Sequence, residues 1–219
     1  MRSFRRSGRH AFSLTEVLVV IAIVLTLFSV CIPVSQRVME SSKRITCARQ
    51  MRQIGISALL YASDNQSRLP QTVHQRRNGG VSWSLSLQPY AGDKLVFRCP
   101  QDPHLTRPYS YVLNDFLTAN PAGAPHLDYS RLDRLTAPHA TILFAEAMAS
   151  YAGTDHFHFS DYFGASFPAA VFRQQVDAER HRGVANYLFA DGHVETLSWA
   201  DVSNRLADSN NPFLDPTRR

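Results

Sequence analysis

From Val17 to Val34 the chain runs for 18 residues with only Thr26, Ser29 and Pro33 interrupting its apolar side chains. That length suits one membrane-crossing helix and exceeds the core of an ordinary secretory signal. A single carboxylate, Glu16, stands at the mouth of the run, just behind a basic leader that holds Arg2, Arg5, Arg6 and Arg9. Moving a charge from water into hydrocarbon is costly, so a plain anchor has no use for a glutamate there. The position of Glu16 therefore asks for a partner.

The flanks argue against three simpler readings. A lipoprotein signal needs a small residue before its cysteine, but Val30 precedes Cys31. Arg5-Arg6 hints at a twin-arginine signal, yet Ser7, Gly8 and Arg9 follow where hydrophobic residues are needed. A cleavable secretory signal needs a small-x-small site after the run, and Ser29-Val30-Cys31 is a poor one.

A fourth reading fits better. Ala11-Phe12-Ser13-Leu14-Thr15-Glu16, followed by the apolar run, resembles the cleavage and methylation site of type IV prepilins and type II secretion pseudopilins. The resemblance implies that prepilin peptidase cuts between Ala11 and Phe12 on the cytoplasmic side and that Phe12 is then N-methylated. The residue before the cut is usually glycine, so Ala11 departs from the pattern. Glu16 becomes the fifth mature residue and pairs with the terminal ammonium of a neighbouring subunit, which supplies the partner that a charge in this setting needs. Pro33 falls where many pilins carry a helix-kinking proline. The implied partners are prepilin peptidase, other pilin or pseudopilin subunits, and membrane lipid. The implied location is the inner membrane, crossed once, with a cytoplasmic N-terminus and a periplasmic or extracytoplasmic head, in a pilus or pseudopilus.

The charge follows from this. The formal net charge is +5, and the four leader arginines supply four of those charges, leaving +1 for the mature chain. A high isoelectric point that resides in the leader is poor support for nucleic-acid binding, and no nucleic-acid partner is expected. The leader arginines favour a cytoplasmic N-terminus, although Arg37, Lys43 and Arg44 beyond the run temper that preference.

Beyond Pro33 the pattern becomes amphipathic. Val38, Ile45, Ala48, Met51, Ile54, Ala58 and Tyr61 recur at spacings of three, four and seven, and Ser63 to Ser67 with Pro70 stop the helix. The expected organisation is a leader over 1–11, a long helix over 12–64 with its transmembrane part at about 12–34, and a head over 65–219. Proline and glycine then recur and apolar runs shorten. We expect a polar loop over 71–82, a short helix or turn over 83–90, a strand near 95–97, and a strand or turn over 109–116. A loop over 120–125 and a buried strand over 141–145 follow. Residues 150–170 read as a loop insertion or irregular strands. Val184–Ala190 and His193–Trp199 flank Asp191-Gly192, a favoured type I′ hairpin turn. The fold class is α+β, with a long N-terminal helix packed on a mainly antiparallel sheet, as in pilins.

A second pattern spans the head. His181, nine residues, then Asp191-Gly192 matches the H-X9-DG signature at the C-terminus of a large group of prepilin-like proteins. Cys47, Arg52-Gln53-Ile54-Gly55, Tyr61, Pro70, Pro89-Tyr90, Cys99-Pro100, Ser110-Tyr111 and Asn114 resemble the same group. The resemblance points to a structural subunit of a pilus-like or secretion filament and supplies no finer role for the motif. Two physical readings remain open. In the structural one, Asp191-Gly192 makes the turn and His181 hydrogen-bonds back to the hairpin to fix its docking. In the other, His181, Asp191 and His193 hold a transition metal, with Glu146, His156 or His158 completing the set if the fold brings one near. The structural reading is preferred, and no metal or other cofactor is expected. Acidic residues do not alternate as in a calcium loop.

Cys31 reads as a small apolar filler in the span. Cys47 and Cys99 both fall outside the cytoplasm on the pilin reading, where a disulfide persists; a bridge between them and two separate buried thiols are both open. No nucleophile elbow, phosphate loop or H-E-x-x-H is present, so enzymatic activity is not expected. The alternative to a filament subunit is a membrane-anchored, extracytoplasmic ligand-binding or adhesin-like protein that uses the aromatic, His-rich 150–170 segment.

Overall fold

A single helix, α1, runs from Leu14 to Asp64 with Pro33 inside it. The computed structural model describes residues 13–72, 82–91, 97–104, 106–118, 128–151, 154–158, 169–216 and 218. The expected leader, the Ala11-Phe12 junction, Leu95-Val96 and the 120–125 loop lie outside the described residues. The chain divides into two units between Ser41 and Ser42.

In the first unit the helix from Leu14 to Val34 presents large apolar side chains that are each 41–82% exposed. It is long and apolar enough to cross a membrane. Three hydroxyls along this unit bond to the helix's own backbone. The Thr26 hydroxyl donates to the Ile23 carbonyl at 2.7 Å, Ser29 to Thr26 at 2.7 Å, and Ser35 to Cys31 at 2.8 Å. Hydroxyls bonded in this way carry little cost in an apolar surrounding.

Among the described residues, the second unit is built on a five-stranded sheet. Its strands are β1 (Tyr111–Asn114), β2 (Ile142–Glu146), β3 (His156–Phe157), β4 (Val184–Phe189) and β5 (Val194–Ser198), and the order is β3-β1-β2-β4-β5. All pairings are antiparallel except that of β1 with β3. Among the described residues its α-helices after α1 are α2 (Trp83–Ala91), α3 (Ala169–Gln175) and α4 (Trp199–Ala207). The molecule is thus α+β, with a long apolar N-terminal helix and a mostly antiparallel sheet.

Strand alternation sends side chains to two cores. Val112, Ala145, Ala185, Tyr187 and Phe189 face Phe172, Val202, Leu206 and Phe213. Tyr111, Leu113, Phe144 and Leu188 face Cys47, Met51, Ile54 and Ala58 of α1, together with Trp83 and Leu87 of α2. Because both faces are covered, β2 (I-L-F-A-E) is buried at every position, as a near-continuous apolar strand requires. The second half of α1 is one wall of this core. The compact unit that contains the sheet therefore takes in the chain from Ser42 onward.

Two local expectations are corrected. Only Gly192 in the β4–β5 turn has positive φ, at 91°, so the turn is not type I′. The Gly192 amide donates to the Phe189 carbonyl at 2.9 Å and the Phe189 amide to the His193 carbonyl at 2.9 Å. That is a three-residue loop in which a left-handed glycine follows an ordinary turn. Trp199 does not close β5 but opens α4. Ser198 caps this helix through a reciprocal capping box with Asp201, which satisfies two otherwise orphaned backbone donors. Of the stretch read as 150–170, the described part contains β3 and the start of α3.

Candidate functional site

Two regions hold the residues that the sequence singles out. At the start of α1 the Ser13 amide donates to Glu16 Oε2 at 2.8 Å, and the Thr15 amide reaches Ser13 Oγ at 3.3 Å. Glu16 thus accepts from a backbone donor of its own first turn, where a carboxylate also favours the helix dipole.

The second region lies under α1, on the sheet face that carries Phe144 and Glu146. Cys47 on α1 and Cys99 in the segment before β1 form a disulfide with Cα atoms 5.1 Å apart. The bridge closes a loop of about fifty residues and constrains the unfolded chain. The Cys99 amide donates to Ser110 Oγ at 3.0 Å, and the Gln101 amide points at Cys99 Sγ at 3.4 Å.

His181 sits in the tight turn before β4. Arg182 and Gly183 both have positive φ there, at 59° and 86°, and the His181 amide donates to the Val184 carbonyl at 2.8 Å. This turn delivers the imidazole inward, leaving His181 only 4% exposed. Its Nε2 lies 2.8 Å from Glu146 Oε1 and 3.9 Å from Cys99 Sγ, and its Nδ1 meets Gln101 Oε1. The second Glu146 oxygen accepts from the Asn186 amide at 3.3 Å. Cys47, Cys99, Glu146 and His181 are all buried, and one ligand-type atom from each lies within 4.8 Å of the others.

His181 therefore does not bond to the Asp191-Gly192 turn as the structural reading expected, and it groups with Cys47, Cys99 and Glu146 and not with Asp191 and His193, the set of the alternative metal reading. Asp191 serves its own turn. Its Oδ1 accepts from the His193 amide at 3.1 Å and meets His193 Nδ1 at 2.5 Å. The His193 ring stacks on Phe189 with centroids 4.4 Å apart. The turn docks through Gly192, whose α-carbon side faces Leu59 and Gly55 of α1. His156 and His158 group with Asp115 instead, and His156 Nδ1 lies 2.8 Å from Asp155 Oδ1.

The segment from Cys99 to Ser110 is held by a polar clamp that sequence reasoning missed. Arg107 Nε donates to Asp102 Oδ2 at 2.5 Å, while its Nη1 and Nη2 reach the Met148 and Ala147 carbonyls at 3.0 and 2.9 Å. Burial works against the charge on Asp102, but hydrogen bonds from Arg107, Ser110 and the His104 amide outweigh it and hold the carboxyl below its usual range. The one linear signal was the short interval from Asp102 to Arg107 after Cys99-Pro100. Glu146 had a clearer one, as a lone charge closing an otherwise apolar strand. Beside it, burial first and the Glu146 charge second push the Tyr111 phenol up; its hydroxyl donates to Gln50 Oε1 at 2.7 Å.

Searches among protein-family models, curated proteins and solved structures find no match to this chain.

Proposed function

We propose that this chain is a prepilin-like structural subunit of a type II secretion pseudopilus or type IV pilus-like filament, matured by prepilin peptidase and anchored in the inner membrane with its head outside the cytoplasm. The observation that carries this reading is the first unit of α1. From Leu14 to Val34 its large apolar side chains are exposed, and only Glu16 interrupts their chemistry with a charge. Such a surface needs lipid or other helices of the same kind to cover it. A carboxylate in the first turn suits an assembly in which the ammonium of a neighbouring subunit approaches it. The H-X9-DG pattern and the accompanying head residues agree with the same family resemblance. On this reading the head is held together by a disulfide, as an extracytoplasmic domain can be.

The test is the mature N-terminus. Intact-mass and N-terminal analysis of the protein from native membranes should find a chain that begins with N-methyl-Phe12. A chain beginning near Cys31 or Ile32, or one that retains Met1, would overturn the proposal.

A further inference from the structure

We propose that Cys47, Cys99, His181 and Glu146 form a closed, four-donor site for zinc or a similar transition metal when their disulfide is reduced. A disulfide is apolar and needs no polar neighbours; aliphatic side chains around it would pin α1 to the sheet equally well. Here a buried imidazole and a buried carboxylate are placed against the sulfurs instead, and desolvating such a pair is expensive. The donor set of two sulfurs, one nitrogen and one oxygen suits tetrahedral zinc. It comes from four separate elements: α1, the segment before β1, strand β2 and the turn before β4.

The surroundings of each donor are arranged as metal ligands require. His181 Nδ1 meets the Gln101 side-chain oxygen, so a proton held there leaves Nε2 as the ligating atom. A ligating histidine is usually oriented through its other nitrogen in this way. Glu146 Oε2 is occupied by the Asn186 amide, which leaves Oε1 directed at the site. The Gln101 amide points at Cys99 Sγ at 3.4 Å, a donor that favours the thiolate. In the oxidised protein one proton joins His181 Nε2 to Glu146 Oε1 and one covalent bond joins the sulfurs. In the reduced protein a single divalent cation would replace both links.

The chemistry balances. A thiol or phosphine reductant supplies two electrons and is itself oxidised; the S–S bond breaks, and two protons make two thiols. The metal then displaces those protons, together with the proton shared between Nε2 and Oε1, and binds two thiolates, a neutral imidazole and a carboxylate.

The experiment uses the full chain in detergent, reduced with a phosphine under anaerobic conditions and titrated with Co²⁺ as a spectroscopic probe. One Co²⁺ per chain is expected, with thiolate-to-cobalt charge-transfer absorption and tetrahedral d–d bands, both lost on adding Zn²⁺. The disulfide form should give neither band. Gln101→Ala keeps all four ligands but removes the support of His181, and should weaken binding about 10–100-fold. Should reduction loosen the fold, Zn²⁺ must restore the near-ultraviolet circular dichroism of the oxidised chain. A reduced chain without these bands, equal binding by the oxidised chain, unchanged affinity in Gln101→Ala and His181→Ala, or failure of Zn²⁺ to restore a loosened fold would each overturn the site.

Discussion

Gly55 of α1 and Gly192 of the β4–β5 turn meet backbone to backbone. A Cβ on Gly55 would stand 3.3 Å from the Gly192 carbonyl oxygen and 3.4 Å from its Cα, and 2.8 Å from Leu188 Cδ1. Leu188 is fully buried, so its methyl has little room to yield. Alanine at an ordinary helical position gains about 0.5–1 kcal/mol over glycine. Overpacking a core costs about 1–3 kcal/mol. Gly55→Ala should therefore lower stability despite its better helix propensity, by about 1 kcal/mol on balance. A melting temperature at or above that of the parent protein would show that the contact has slack.

Gly192→Val should be worse. Its φ of 91° resists any β-branched side chain, and the new Cβ would also lie 2.8 Å from Leu59 Cδ1. Holding a non-glycine residue in such a conformation costs about 1–3 kcal/mol. Denaturant unfolding of the full chain measures this directly, and a midpoint within error of the parent would count against the docking role of the turn.

Glu16 can be tested with two substitutions that separate capping from charge. Gln keeps an acceptor for the Ser13 amide, while Ala removes it. If Glu16 pairs with a neighbouring ammonium, both variants should insert and be processed but assemble poorly into filaments. Normal incorporation of Glu16→Gln would reduce the residue to a helix cap.

The clamp at Asp102 predicts acid sensitivity. Its folded pKa lies below the unfolded value, so the stability it contributes is complete above about pH 4 and is lost as pH falls toward the folded pKa. Asp102→Asn should cost about 1.5–3 kcal/mol at neutral pH, the range of a charge-assisted hydrogen bond. It should also flatten the acid limb of the stability curve. An unchanged acid limb would mean that other carboxylates govern it.

His181→Ala in the oxidised protein would strand Glu146 beside the disulfide, with the Asn186 amide still donating to it. A loss of at least about 2 kcal/mol is expected. Glu146→Gln, which keeps that amide bond, should lose less. Chelators should leave the melting of the oxidised chain unmoved; a chelator-dependent shift there would place a metal where the disulfide now stands.

The elements most legible in the sequence are those whose signal is local and repeated. The apolar run and its amphipathic continuation mark α1 to Asp64, and the unbroken apolar stretch ending at Glu146 marks β2. The paired strands around Asp191-Gly192 were legible too, but not their turn type, because docking against α1 selects a loop in which only the glycine is left-handed. Strand β3 is two residues long and pairs in parallel with β1, so no periodicity could announce it. Helix α4 was hidden because V-E-T-L-S-W reads as one strand, although Ser198 and Asp201 carry the capping signature that ends it. The cluster around His181 was legible only as a list of residue types. Its grouping depends on Glu146, 35 positions earlier, and on Cys99, 82 positions earlier, and such separations leave no trace in spacing.

Cys47, Met51, Ile54, Gly55 and Ala58 make the latter part of α1 a structural layer of the head. Stepwise shortening from the N-terminus should therefore show a threshold instead of a gradient. Fragments starting near Ser42 would keep the whole interior and shed the greasy stretch, which makes them the natural starting material for a soluble preparation. Fragments starting at residue 65 would expose Trp83, Phe144 and Leu188 to water and leave Cys99 with no sulfur to pair with. Aggregation of such a fragment would reflect a missing wall, not an unstable fold.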